Sequence, residues 1–149
     1  MISRELAGRL STRLDWKPTN GDLFFIPRPE ISDSVFLVSD MVVELVVRDA
    51  SPRFHFNGTV EWALDSVEVG EVCWLPREDQ LRDLLGDHFL SLDRAGGDYV
   101  VSLSGPERAH HTSPQPTAAD AYGTALLYVL ERSVVREPSD PAAGPSDPR

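Results

Sequence analysis

The chain has 149 residues, 41% of them hydrophobic, and carries a formal net charge of −10 from 24 acidic and 14 basic side chains. That is enough apolar sequence for one core, and Cys73, the lone cysteine, excludes an intrachain disulfide or a cysteine-rich zinc site. The acidity argues against nucleic-acid and anionic-membrane binding, no apolar run reaches the ~20 residues of a membrane span, and the charged N-terminus lacks a signal-peptide core, so a cytoplasmic protein is expected.

Ser3 is placed to cap a short first helix in which Leu6, Ala7, Leu10 and Leu14 form an apolar stripe. Pro18 and Asn20-Gly21 end it. The run L-F-F-I at 23–26 then reads as a short strand closed by Pro27 and Pro29. Residues 34–39 and 41–48 are rich in β-branched side chains and read as further strands, Ser51-Pro52 as a turn, and F-H-F at 54–56 as another strand.

Two conformations fit the next stretch. Asn57-Gly58 can form a type I′ hairpin turn that pairs F-H-F with T-V-E-W-A-L and buries Trp62. Alternatively, Thr59 caps a helix over residues 60–67, with Val60, Ala63, Leu64 and Val67 as its buried stripe and Glu61, Trp62 and Asp65 on the outer side. Alanine and leucine favour the helix.

Beyond Pro76, Leu81, Leu84 and Leu85 mark a helix ended by Gly86. F-L-S-L-D at 89–93 and D-Y-V-V-S-L at 98–103 flank Gly96-Gly97 as a hairpin. Residues 105–116 read as loop with a frayed strand near His110. Thr117 and Asp120 then form an acidic capping box for a last helix. From about residue 135 the chain turns to P-S-D-P repeats, too poor in apolar side chains to order itself. This order predicts an α+β fold, a mostly antiparallel sheet with about four helices packed on it. Residues 1–134 are expected to form a single domain and 135–149 a disordered tail.

No phosphate-binding glycine loop, dinucleotide fingerprint, H-E-x-x-H or G-x-S-x-G motif occurs. His110 and His111 would point to opposite faces of a strand, and His55 away from Phe54 and Phe56. Cys73, between Val72 and Trp74, reads as a small buried hydrophobe.

The stretches G-T-V-E-W-A-L-D-S-V and W-L-P-R-E-D-Q-L-R-D-L-L, with S-D-M-V-V-E and A-D-A-Y-G-T-A-L-L, resemble short actinobacterial proteins that carry a CpaE-type pilus-assembly label. The resemblance covers residues 1–132. It implies no established activity and no defined catalytic residues. The second half is also similar, more weakly, to small phage-related proteins.

A non-catalytic protein-interaction module without a cofactor is therefore expected. Its contact surface is placed at Glu61, Trp62 and Asp65, extended by Trp74 and Arg77. Two other classes compete: a metal-assisted hydrolase using His55 or His110 with Asp40 or Glu44, and an immunity, antitoxin or phage-related inhibitor protein whose acidity complements a basic target.

Overall fold

A computed structural model describes residues 1–39, 43–56 and 66–135. The leucine stripe forms helix α1 (Arg4–Ser11) and buries Leu6, Ala7 and Leu10. Strand β1 (Leu23–Phe25) is the middle of a three-stranded antiparallel sheet, between β2 (Phe36–Leu37) and β6 (Cys73–Trp74). Both its faces are covered, which explains an unbroken apolar run where alternation would mark a half-solvated strand. Phe25, opposite Cys73, belongs to one core with Leu10, Leu75, Leu81, Leu103 and Leu126; Phe24, opposite Trp74, belongs to a second with Ile26, Val38, Phe54 and Val67.

The second core is closed by an antiparallel sheet of β3 (Val43–Arg48), β4 (Ser51–Phe56) and β5 (Ser66–Glu68). The turn expected at Ser51-Pro52 instead falls two residues earlier, at Asp49-Ala50. Asp49 and Ala50 both take positive φ, 51° and 63°, and Arg48 pairs with Ser51 to close a two-residue hairpin. Pro52 is tolerated within β4 because the β5 ladder stops at Arg53, so the proline nitrogen faces no neighbouring strand.

The favoured helix over 60–67 is corrected at its C-terminal end. Ser66 and Val67 are strand, paired with His55 and Phe54, and Val67 is buried in the second core. Phe54 and His55 of F-H-F thus pair with Val67 and Ser66; residues 57–65, with Glu61, Trp62 and Asp65, lie outside the described residues.

Helix α2 (Glu78–Leu85) stops at Gly86, whose φ is 51°. The hairpin of β7 (Phe89–Ala95) and β8 (Asp98–Leu103) turns at Gly96-Gly97, and β9 (His110–His111) adds a short third strand. Helix α3 (Ala118–Val135) begins as the capping box predicts, with the Asp120 N–H donating to Thr117 Oγ1 at 3.1 Å. The Asp120 carboxylate, however, accepts from the Ser3 N–H at 2.7 Å and ties α3 to the start of α1. Gly123 lets the two helices close: a Cβ there would lie 2.7 Å from Leu6 Cδ2. The fold is α+β, with three antiparallel sheets rather than one and three α-helices among the described residues, one fewer than expected. Residues 136–149 of the expected tail lie outside the described residues; Val135 is the last residue of α3. None of the described helices is long and apolar enough to cross a membrane.

Candidate functional site

The site begins with a buried carboxylate. Asp22, 2% exposed, sits between the Asn20-Gly21 turn and β1. Its Oδ2 accepts from Trp16 Nε1 (3.0 Å), the Thr19 N–H (3.0 Å) and Thr19 Oγ1 (3.1 Å), and its Oδ1 accepts from Gln80 Nε2 (2.6 Å). Burial pushes this carboxyl up, but the donors of Trp16, Thr19 and Gln80 more than offset burial and hold it below the ordinary carboxylate range. The group is a positioning anion: every strong donor around it is engaged, and it orients the Trp16 indole.

Trp16 is stacked on Trp74, with centroids 5.9 Å apart and planes 6° from parallel. It also meets Phe24 at 6.2 Å and Phe54 at 5.9 Å, so the pair is backed by the second core. The two indoles line an open cleft of about 350 Å³ between the C-terminal half of α1, the segment Leu14–Trp16, and Pro52, Val69, Gly70 and Val72. Pro76 completes its apolar wall, and exposed Asp15 is the one carboxylate among the described residues that line it. Trp74 Nε1 is buried and has no acceptor among the described residues. A buried N–H donor without any acceptor costs about 1–3 kcal/mol.

Of the five residues expected to make the contact surface, Trp74 is a wall of this cleft. Arg77 stands behind it as a fastening: its guanidinium donates to the Gly21 carbonyl at 2.8 Å and to both Asp79 carboxylate oxygens at 3.2 Å, and approaches Asp22 Oδ1 at 3.7 Å. Cys73 is buried on the opposite face of β6, where burial pushes its thiol up against a smaller opposing pull from the Ser11 hydroxyl. This is no environment for a thiolate nucleophile. Of the residues weighed for a metal, His55 and His110 stand on different sheets, Asp40 lies outside the described residues, and no three histidine, cysteine or acidic side chains cluster among the described ones.

Sequence reasoning passed over Trp16 and Asp22. The only local signal was an acid directly after a turn and before an apolar strand. Their partner Gln80 lies 58 residues from Asp22. Comparison of the chain with protein-family models, with curated proteins and with solved structures finds no match.

Proposed function

We propose that the protein is a non-catalytic module that acts by protein contact, seating an extended, basic, proline-bearing segment of a partner in the Trp16–Trp74 cleft. The observation that carries this reading is the stacked indole pair, fixed from behind by Asp22 and framed by Pro52 and Pro76. Extended proline-rich segments dock on such aromatic walls at low ordering cost, because their backbone is already extended. Asp15 at the rim supplies a partner for lysine or arginine, in keeping with the net charge of −10. Glu61, Trp62 and Asp65 remain part of the proposed contact surface.

Gly70 gives the cleanest test. Gly70 lines the cleft, a Cβ there meets nothing within 4 Å, and its φ is not in the positive range, so Gly70→Phe adds a large ring at the cleft wall without straining the backbone. A short labelled peptide of prolines and arginines should bind the natural chain by fluorescence anisotropy and bind Gly70→Phe at least about tenfold more weakly, at unchanged thermal stability. Equal affinity for both proteins, or no binding to either, would defeat the proposal.

A further inference from the structure

A second concavity, of about 290 Å³, lies on another part of the molecule, between the β8–β9 loop and the last turns of α3. Its apolar walls are Leu103, Pro106 and Val129 with the Tyr128 ring, on which His110 stacks at 3.8 Å with planes 3° apart. Arg108 enters from the loop and Arg132 from the helix, the latter 5.4 Å from the Tyr128 centroid. No carboxylate among the described residues lines this space.

In a chain with 24 acidic and 14 basic residues carboxylates are plentiful, and among the described residues five arginines form ion pairs. Arg9 and Arg13 pair with Glu131, Arg28 with Glu71, Arg53 with Glu68, and Arg77 with Asp22 and Asp79. Arg108 and Arg132 form no ion pair with any described residue, and both line this cavity. Glu131, the acid next to Arg132, is drawn to the far side of the helix by Arg9 and Arg13. The loop is also held in shape. Gly105 packs so tightly against the Arg108 carbonyl that a Cβ would collide with it, and Ser104 Oγ donates to the Asp87 carbonyl at 3.2 Å.

We propose that this concavity is a binding site for a small organic anion, a phosphate monoester or a carboxylate with an apolar body, held by Arg108 and Arg132 and packed against Tyr128. Planar guanidinium groups match both anions through paired N–H donors. The volume is at the lower end of small-molecule sites. The apolar walls select an organic anion over free phosphate. The site is separate from the tryptophan cleft and does not rest on the proposed function.

Titration of the full-length, ¹⁵N-labelled protein with phenyl phosphate, benzoate, inorganic phosphate and benzyl alcohol tests it. At least one of phenyl phosphate and benzoate should give saturable shifts confined to residues 104–110 and 128–133, and bind more tightly than inorganic phosphate. Benzyl alcohol should give none. Arg108→Gln and Arg132→Gln should each weaken binding by about tenfold or more, with unchanged thermal unfolding, and added salt should weaken it further. Which anion binds more tightly assigns the ligand class. Absence of saturation by both organic anions, equal response to benzyl alcohol, or full affinity in the double variant would overturn the site.

Discussion

Replacing Asp22 by asparagine probes the anion that positions the tryptophan cleft. The side chain keeps its shape but retains one acceptor oxygen. If that oxygen takes the place of Oδ2, the donors of Trp16 and Thr19 stay satisfied, and the new amide faces the Gln80 amide at what was a 2.6 Å bond. Gln80 cannot simply flip, because its Oε1 already accepts the Arg77 N–H at 3.0 Å at the start of α2. The variant therefore loses one hydrogen bond to a charged acceptor, about 1.5–3 kcal/mol, and strains or loses one neutral bond of about 1 kcal/mol. A total of about 2–4 kcal/mol lowers Tm by roughly 5–15 °C for a chain of this size. The pH dependence gives an independent check. The folded-state pKa of Asp22 lies below its unfolded value, so its contribution is complete above the unfolded carboxylate pKa and fades as pH falls through the folded one. Urea unfolding of both proteins should thus show a gap that is constant near neutrality and narrows below about pH 4. A gap under about 0.5 kcal/mol at neutral pH, or one that persists undiminished into acid, would refute the assignment of Asp22 as a stabilising carboxylate.

Two further substitutions test the frame. Gly123→Leu pushes a side chain into Ile2 and Leu6, where even a Cβ would lie 2.9 Å and 2.7 Å from their methyl carbons, and should cost about 1–3 kcal/mol by chemical denaturation. Ala50→Gly relieves a left-handed alanine at φ 63°, worth about 1–2 kcal/mol, less the roughly 0.4–1 kcal/mol lost through the more flexible unfolded chain; a net gain of about 0.5–1 kcal/mol is expected in the same assay.

Elements set by local pattern were legible from the residues. The α1 stripe, the Gly86 stop, the Gly96-Gly97 hairpin and the Thr117 cap each rest on neighbours within a turn or two. Misreadings arose where a distant partner decided. Pro52 looked like a turn because proline is excluded from a paired strand interior, and only the end of β5 at Glu68 makes it acceptable in β4. Val67 fitted a helical stripe at i+7, but a three-residue strand is too short to show alternation and takes its identity from Phe54 across the ladder. The cleft was half legible. Trp74 was singled out, whereas Trp16 acquires its meaning from a stacking contact and a hydrogen bond that no spacing along the chain announces.

Both concavities depend on how this fold distributes its few cations. Arg77 is spent on Gly21, Asp22 and Asp79, which fixes the start of β1 against α2; among the described residues lining the tryptophan cleft, Asp15 is the one charged group. Arg9 and Arg13 converge on Glu131, which fastens the end of α1 to α3, while Arg132, the next residue on that helix, lines the other cavity. The pairs of Arg9 and Arg13 with Glu131 and of Arg77 with Asp79 are exposed enough to add little stability by themselves. Their larger consequence is placement: among the described residues, the lining of one cleft includes an acid, Asp15, and that of the other two arginines, Arg108 and Arg132. The two bear opposite charge because the same limited set of arginines was committed elsewhere in the first case and left unpaired among the described residues in the second.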